Sequence, residues 1–288
     1  MTEHIYIGVD GGGTKSKLVM RDADGVLLGT GRSGASNIRL SVDKSITSVM
    51  DAYQQAYTQA SQKRDLSQAK FHIGLGLAGT EVPRYCTEFL AKLPDFETVC
   101  LKSDAYAACL GAHEGKDGAI LIVGTGVVGY RSLHGEEKRV SGWGFPHDDE
   151  GGGAWIGMET IRATLQVCDG RRKSTPYLEA ILAHFQHDLT KLVTWANLAS
   201  ATEFASLAPF FTDYLVKKDP VAVTLAEASG KALMKVLDVL VTKDIALCLF
   251  GGLASFLEPY LAPAIRAQIQ PRMHDATEGA VFMVKNVL

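Results

Sequence analysis

The chain has 288 residues and a formal net charge of −3, with 47% hydrophobic and 21% charged residues. These values are those of an ordinary globular protein large enough for two modest domains, and they imply no nucleic-acid partner. The longest apolar run, residues 119–128, is interrupted by glycines and too short to cross a bilayer, and Glu3 and Asp10 lie where a signal peptide would be apolar. We therefore expect a cytoplasmic protein that does not enter a membrane.

The cysteines are scattered and form no Cys-x-x-Cys pair, which favours buried, reduced thiols over a disulfide scaffold. They are Cys86, Cys100, Cys109, Cys168 and Cys248. We also expect no structural metal, because His147 has no second histidine at helical or hairpin spacing, and His184 and His187 are typical of surface positions.

A strand predicted over residues 4–9 runs directly into Asp10 and the consecutive glycines Gly11, Gly12 and Gly13. Successive glycines allow backbone N–H groups to converge on the oxygens of a phosphate, and Asp10 stands where it could attract a metal ion. The loop therefore predicts nucleotide binding.

Two familiar phosphate-binding patterns do not fit this loop. Thr14 stands where the Walker pattern requires lysine, with Lys15 one place late, and Ser16 stands where the dinucleotide fingerprint requires glycine or alanine. Residues 16–21 alternate like a strand, so a plain glycine-rich hairpin remains the competing interpretation.

The next elements alternate between strands and helices. A strand over residues 26–31 completes an antiparallel meander. Apolar spacing then predicts helices over residues 42–60, 83–93 and 105–112, with strands over residues 71–77 and 98–101. This order indicates α/β layering.

The second half begins like the first. A strand over residues 119–123 ends in Gly124-Thr125-Gly126 and returns as a strand over residues 127–131, which suggests two like domains, although a chance pair of hairpins stays open. The remaining predicted elements are helices over residues 154–166, 176–185, 201–216 and 222–241, a buried strand over residues 245–250 leading into Gly251 and Gly252, and a last helix from Thr277.

Asp104 follows a short strand and begins a helix, whose N-terminus favours an ionised carboxylate. Such a residue could serve as a general base. It could equally be the N-cap of the helix and nothing more, and the residues alone leave both interpretations open.

Several local features, taken in order, resemble the nucleotide-binding motifs of the actin-like ATPase and sugar kinase superfamily. These features are Asp10–Thr14, Ser103-Asp104-Ala105, Gly124–Gly126, Gly251-Gly252 and Glu278-Gly279-Ala280. More narrowly, residues 34–38, Gly142-Trp143-Gly144 and residues 149–153 resemble the N-acetylglucosamine kinase and glucosamine kinase group, bacterial glucosamine kinases in particular. Members of this group often carry Gly-Asp-Glu-Gly-Ser, whereas here Asp148 is first and Gly152 is last, which puts sugar contacts in more doubt than nucleotide contacts.

The resemblance implies an α/β fold of two ribonuclease-H-like (actin-like ATPase) domains with an interdomain cleft. The expected N-terminal domain covers residues 1–115, with the helix of residues 275–288 packing back on it, and the more helical C-terminal domain covers residues 116–274. A homodimer is common in the group.

The resemblance also implies ATP and Mg²⁺ as cofactors. Asp10 would hold Mg²⁺ through water, since this ion gives up its hydration reluctantly. The expected nucleotide-binding residues are Gly11, Gly12, Gly13, Thr14, Lys15, Thr125, Gly126, Gly251 and Gly252, with Lys15 equally well placed to point into solvent.

The implied reaction is transfer of the γ-phosphoryl group to the 6-hydroxyl of glucosamine or N-acetylglucosamine, with Asp104 as the base. The expected sugar-binding residues are Asn37, Thr80, Asp104, Trp143, Gly144, Asp149 and Glu150. Alternatives remain for most of them, because a loop asparagine is usually a turn residue and an acidic pair before glycines can be a solvated helix cap.

Two other classes share these nucleotide motifs. An activator ATPase of a dehydratase or reductase would hold an iron–sulfur cluster between two subunits, but the second half offers only Cys168 and Cys248 for it. A sugar-sensing regulator would carry a DNA-binding helix-turn-helix before the first strand, where this sequence has three residues before His4. We keep the activator as the alternative function.

Overall fold

The computed structural model describes residues 3–287. In chain order, its strands and helices are β1 (His4–Gly11), β2 (Ser16–Asp22), β3 (Leu27–Ser33), α1 (Val42–Ser61), β4 (Lys70–Leu77), α2 (Pro83–Lys92), β5 (Thr98–Ser103), α3 (Asp104–Ala112), β6 (Gly118–Val123), β7 (Val127–Leu133), β8 (Glu136–Ser141), α4 (Gly153–Cys168), α5 (Pro176–His184), α6 (Leu189–Leu198), α7 (Ala201–Ala205), α8 (Ala208–Val216), α9 (Pro220–Leu240), β9 (Leu247–Phe250), α10 (Ala254–Leu257), a 3₁₀ turn (Glu258–Tyr260), α11 (Pro263–Arg266) and α12 (Ala276–Lys285).

The first sheet has the order β3-β2-β1-β4-β5. β1, β2 and β3 form the predicted antiparallel meander, and β1, β4 and β5 are parallel. Ile5, Ile7 and Val9 alternate along β1 and are fully buried, as the period of a strand requires. The meander and the parallel strands therefore share one core.

Helix α12 lies against this sheet with its backbone in close contact. A Cβ added at Gly8 of β1 would overlap the carbonyl oxygen of Thr277, and one at Gly74 of β4 would overlap that of Ala280. On the helix, a Cβ at Gly279 would overlap the carbonyl oxygen of Ala107 in α3. Only glycine permits this approach, and it fixes the start of α12 beside the middle of the sheet.

The second sheet has the order β8-β7-β6-β9, with β9 parallel to β6. β6, β7 and β8 therefore take the places that β1, β2 and β3 take in the first sheet, and β9 takes the place of β4. This repetition matches the likeness that the two strand-turn-strand openings predict.

The chain forms two compact units. One comprises the residues up to Gly118 together with Arg131–Glu137 and the stretch from Pro271 onward, and the other comprises Ala119–Tyr130 and Lys138–Gln270. Among the described helices, none combines the length and hydrophobicity needed to cross a bilayer.

Several helices and strands of the second half are not predicted from the sequence, or are predicted with the wrong bounds. Strand β8 reads Glu-Glu-Lys-Arg-Val-Ser and lacks an apolar alternation, so its position at the sheet edge leaves no hydrophobic signal. Helix α6 is not predicted because Leu189, Val193 and Leu198 are apolar but exposed, so the apolar residues do not mark a single buried face of the helix.

The single helix predicted over residues 201–216 is wrong. It is two helices, α7 and α8, because Pro209 lacks an N–H group and would break an i to i−4 bond inside a continuous helix. Pro209 instead lies in the first turn of α8, where that N–H group is not needed.

A histidine pair, of which His72 is buried, joins three parallel strands of the first sheet. His72 of β4 is 1% exposed, and its ring nitrogens lie 2.8 Å from His4 Nδ1 on β1 and 3.0 Å from Thr98 Oγ1 on β5. Burial, and then the proximity of His4, lower the pKa of His72 from its usual 6.5, with Glu97 and Lys70 acting in opposite directions. The folded protein therefore binds a proton at His72 less tightly than the unfolded chain does.

We predict that the free energy of unfolding falls as the pH is lowered through and below 6.5, because protonation of His72 favours the unfolded chain. The substitution His72→Gln should make this fall shallower in urea titrations between pH 7.5 and pH 5. The exposed His147 gives a matched control, and His147→Gln should keep the parent's slope. Equal slopes for His72→Gln and the parent would contradict the assignment.

Candidate functional site

In the first unit, three parallel strands end at one level and bring the predicted residues together. Gly11 at the end of β1 pairs with Leu77 at the end of β4, and Leu77 pairs with Ser103 at the end of β5. Asp10 and Asp104 therefore lie at the same sheet edge. The carboxyl ends of parallel strands are where α/β proteins bind their ligands.

The turn after β1 is tied to its neighbours through the backbone. Gly12 N–H donates to the carbonyl of Lys15 at 3.1 Å and closes the turn. Ala78 N–H donates to the carbonyl of Gly11 at 2.8 Å, and Ser36 N–H donates to that of Gly12 at 2.9 Å. These bonds hold the turn while the side chains of Thr14 and Lys15 remain exposed.

The three glycines of this turn differ in what requires them. A Cβ at Gly11 would overlap Ser36 Oγ, so packing alone demands glycine there. Around Gly12 and Gly13 no protein atom lies within 4 Å of the Cβ position, and neither residue is in the left-handed region of φ. Among residues 3–287, neither packing nor a left-handed φ requires glycine at these two positions, and the open space beside the backbone would admit a ligand.

Negative charge concentrates at Asp10. Burial, followed by the negative charge of Asp104, raises the pKa of Asp10 to about 6, and Asp275 adds to this effect. Lys17, which pairs with Asp10 across the β1–β2 ladder, lowers the pKa, as does Lys15 to a smaller extent. A site of this charge favours a bound cation.

Asp104 is not the cap of its helix, so that interpretation of it is wrong. The N-cap of α3 is Ser103, whose hydroxyl accepts from Tyr106 N–H at 3.1 Å. Asp104 is the first helical residue, and its Oδ1 accepts from Ala105 N–H at 2.8 Å. Its carboxylate therefore lies at the N-terminus of α3, the end of a helix that favours negative charge.

Asn37 and Thr80 lie on touching loops of the same unit. Asn37 Oδ1 accepts from Arg39 N–H at 3.1 Å, so the side chain does form a turn, and its amide nitrogen is left for other contacts. A Cβ at Gly79, which has a φ of +89°, would overlap Arg39 and Asn37. The Asn37 loop and the Gly79-Thr80 loop are therefore packed together beside the β1 turn.

In the second unit, the turn Gly124–Gly126 is held by the start of α4. Gly153 N–H donates to the carbonyl of Gly124 at 2.8 Å, and Ala154 N–H donates to that of Thr125 at 2.9 Å. Thr125 itself is exposed, so its hydroxyl is available to a ligand. A helix start satisfied in this way leaves the turn rigid.

Asp149 packs against this turn and forms a hydrogen bond next to it. Its carboxylate is 9% exposed, accepts from Val127 N–H at 3.3 Å, and lies where a Cβ at Gly126 would be. Burial raises the pKa of Asp149, and the bond from Val127 partly offsets this. Its observed contacts are with the protein, so a contact with sugar stays a proposal.

A cavity of about 370 Å³ opens next to the turn. It is lined by Gly124, Thr125, Gly153, Ala205, Ala208, Pro209, Thr212, Gly252, Leu253 and Phe256. Gly251 has a φ of +94° and is required by the fold, whereas no protein atom lies within 4 Å of a Cβ at Gly252. Gly252 therefore leaves space that belongs to the cavity.

A second cavity of the same unit, about 240 Å³, includes two of the predicted sugar residues, Trp143 and Glu150. Trp143 is 83% exposed, and its backbone N–H donates to Asp148 Oδ2 at 2.9 Å. Glu150 lies 3.6 Å from Lys235 Nζ. Gly144 has a φ of +105° with no protein atom near its Cβ position.

Sequence reasoning misses three residues of these sites. Asp148, dismissed as a departure from the family pattern, orders the Trp143 loop through bonds from Trp143 N–H and the Ser141 hydroxyl. Asp275 caps α12 by accepting from Thr277 N–H at 3.1 Å, and the spacing Asp275-x-x-Glu278 is a capping signal that could reveal it. Lys17 carries no signal beyond its alternation with Lys15.

The donors near Asp10 fit Mg²⁺ in its usual protein setting. Within residues 3–287 there is no group of three or more His, Cys, Asp or Glu side chains arranged to hold a metal ion. Mg²⁺ needs fewer, because it binds through one or two carboxylates and completes its shell with water and phosphate oxygens. Asp10, whose carboxylate feels the negative charges of Asp104 and Asp275, could supply such a carboxylate.

These features define the class of the protein. Two sheets of like order, each with a glycine turn after its first strand, are arranged as in proteins of the actin-like ATPase fold. The model of the BadF/BadG/BcrA/BcrD ATPase family matches residues 7–281, and the chain belongs to this family. Its nucleotide is therefore ATP.

The chain is similar to proteins named as amino-sugar kinases. It is 35% identical to glucosamine kinase GspK of Vibrio cholerae over 96% of this chain and 94% of that protein. It is 27% identical to the N-acetylmuramic acid/N-acetylglucosamine kinase of Clostridium acetobutylicum over 97% and 98%. A solved structure described as an N-acetylglucosamine kinase, from Chromobacterium violaceum, has a TM-score of 0.84 at 31% identity and covers 97% of this chain and 98% of that one.

The glycine analysis predicts opposite effects for two adjacent substitutions. Gly12→Ala should leave the unfolding free energy within about 0.5 kcal/mol of the parent, since it meets no protein atom, but should raise the KM for ATP at least about tenfold. Gly11→Ala should cost roughly 1–3 kcal/mol of stability by overpacking Ser36. Urea unfolding and steady-state kinetics check both, and a normal KM in Gly12→Ala would show that the turn does not touch nucleotide.

Proposed function

We propose that the protein phosphorylates glucosamine, and N-acetylglucosamine less efficiently, at the 6-hydroxyl with ATP as donor. The chain is a sugar kinase by its similarity to the named kinases, and the choice of acceptor and of hydroxyl rests on the Gly34–Ile38 and Asp149–Gly153 motifs. The observation that carries the proposal is the placement of Asp104 and the Gly11–Gly13 turn at one level of the first sheet.

The backbone of Gly12 and Gly13, with the hydroxyl of Thr14, binds phosphate oxygens in the first unit. The exposed Thr125 and the neighbouring Gly126 also bind phosphate oxygens, and Gly251 and Gly252 lie along the nucleoside. Lys15 contributes positive charge to the first of these groups. Phosphoryl transfer requires mainly such positioning and charge, since the protein does little covalent chemistry.

Asp10 would hold Mg²⁺ through water, and the bound ion would supply positive charge to the phosphates. Binding of the ion requires the ionised carboxylate, and the surroundings of Asp10 raise its pKa to about 6, so this form still predominates at neutral pH. Lys17 and Lys15 favour the ionised form, against burial and the negative charge of Asp104 and Asp275. Their balance sets how readily the carboxylate is available.

Asp104 accepts the proton of the sugar hydroxyl as that oxygen attacks the γ-phosphorus. This role is supported by the position of Asp104 in the first turn of α3, at the level where β1 and β4 end. Asn37 and Thr80, on the packed loops beside the turn, offer hydrogen bonds to sugar hydroxyls, and Asp149 and Glu150 accept from others. Trp143 lies against the apolar face of the ring next to Gly144.

The activator ATPase alternative is less well supported by the thiols. Cys248 lies in β9 and is 1% exposed, so it is poorly placed to share a cluster with a second subunit. Cys168 is exposed at the end of α4. Each iron of a [4Fe–4S] cluster binds one cysteine thiolate, so a cluster shared by two subunits needs more than the one accessible cysteine of the second unit.

The direct test is an acceptor panel of glucosamine, N-acetylglucosamine and glucose with Mg²⁺-ATP. We expect sugar-dependent ADP formation with the amino sugars, highest kcat/KM with glucosamine, and a 6-phosphate in the ³¹P and ¹³C spectra of the product. ATP hydrolysis without transfer to any of the three sugars would refute the proposal.

The role of Asp104 predicts a loss in kcat rather than in ATP binding. Asp104→Asn should lower kcat by about 10²–10⁴, the usual contribution of a general base, with the KM for ATP changed less than about threefold. Asp95, an exposed carboxylate on the loop before β5, gives the matched control Asp95→Asn, which should behave as the parent. A kcat within a few-fold of the parent in Asp104→Asn would remove Asp104 as the base.

A further inference from the structure

One wall of the cavity beside the Gly124–Gly126 turn is formed by residues that belong to none of the sequence motifs. Helices α7 and α8 supply Ala205, Ala208, Pro209 and Thr212, and Phe256 of α10 lies on the cavity as well. Because Gly124 and Thr125 line the same space, a phosphate bound at the turn has this cavity next to it. Its volume of about 370 Å³ lies in the range of small-molecule sites.

The cavity is lined by few kinds of side chain. Its side chains are apolar apart from the hydroxyls of Thr125 and Thr212, and within the described chain no charged or carboxamide side chain lines it. Thr212 Oγ1 donates to the carbonyl of Pro209 at 3.1 Å and keeps its lone pairs for a ligand. A hydroxyl can also rotate, so it accepts from an amino group or donates to a carbonyl.

A purine base is distinguished from another purine by groups with fixed roles. Adenine carries an amino group at the position where guanine carries a carbonyl, and a site rejects one of them strongly only when it presents a fixed donor or acceptor there. Apolar walls measure shape, and the two bases have nearly the same shape. Thr125 is assigned to phosphate, and the Thr212 hydroxyl can either accept from an amino group or rotate away from Pro209 and donate to a carbonyl, so it adapts to either base.

We propose that this cavity binds the base of the phosphoryl donor by shape alone, so that the enzyme uses purine nucleoside triphosphates with little discrimination between adenine and guanine. This inference rests on the proposed kinase function and specifies its donor. Ala205, Ala208 and Phe256 are the walls that contact the flat faces of the purine. Pyrimidine donors fill less of the cavity and are used less well.

The test is to measure kcat/KM for ATP, GTP, ITP and CTP with saturating glucosamine. We expect GTP and ITP within about 100-fold of ATP, the most that a pocket without hydrogen-bond readout achieves, and CTP below all three. A loss greater than this for GTP or ITP would overturn the inference. Calorimetric binding of ADP and GDP repeats the comparison without a sugar, and affinities that differ beyond the same limit would also overturn it.

A substitution in the wall locates the base. Ala208→Leu should raise the KM for ATP and for GTP alike, by at least about tenfold, because the longer side chain fills the cavity. Ala183→Leu on the exposed face of α5 is the matched control and should leave both values unchanged. A normal KM for both donors in Ala208→Leu, with the protein folded by its melting temperature, would place the base elsewhere.

Failure of this inference and failure of the proposed function are distinct. If ATP supports no sugar phosphorylation, the proposed function fails, and the calorimetric comparison still decides the inference. If ATP supports turnover and GTP does not, the kinase assignment stands and the claim of weak base discrimination is wrong.

Discussion

The close backbone contact of α12 with the first sheet is the constraint on which the site of the first unit depends. Glycines at positions 8, 74 and 279 let the helix, β1, β4 and α3 approach until carbonyl oxygens occupy the space of a side chain. The start of α12 is thereby fixed, and with it Asp275, whose charge acts on Asp10. A longer side chain at any of the three positions would push these elements apart. It would thereby change the charge around the Asp10 carboxylate without touching Asp10 itself.

The pattern of glycines separates two uses of the same residue. Gly11 and Gly126 are glycines because a neighbouring side chain, Ser36 or Asp149, already occupies the space. Gly12, Gly13 and Gly252 border open space instead, and no contact within the part of the chain that the structure describes requires them. In sequence the two kinds look identical, and only the surroundings of each Cβ position tell them apart.

The sequence predicts the fold well where local chemistry decides it. The meander, the alternation of helices and strands, and the turn after β6 follow from apolar periodicity and glycine signals. The edge strand β8 and the break between α7 and α8 do not, because one carries no apolar pattern and the other depends on where Pro209 falls in a helix.

In the candidate site, short motifs can be predicted from the sequence, whereas contacts between residues far apart in the chain cannot. Asp10, Gly12 and Asp104 are visible as short motifs, and the strand register explains why Asp10 and Asp104 meet. Asp275 acts on Asp10 from the far end of the chain. Thr212 shares a cavity with Thr125, although the two residues do not belong to the same motif. Tertiary packing alone creates these pairs, so no pattern of spacing announces them.

The discontinuity of the first unit bears on the order in which the protein is made. Its strands β1 to β5 leave the ribosome early, but α12, which closes their core, follows only after the 119–130 and 138–270 segments have been synthesised. Gly8 and Gly74 expose an unfilled strip of the sheet during that interval. The second unit is nearly continuous in sequence and can complete its own core first, so the nascent first unit must wait for its last helix with that strip uncovered.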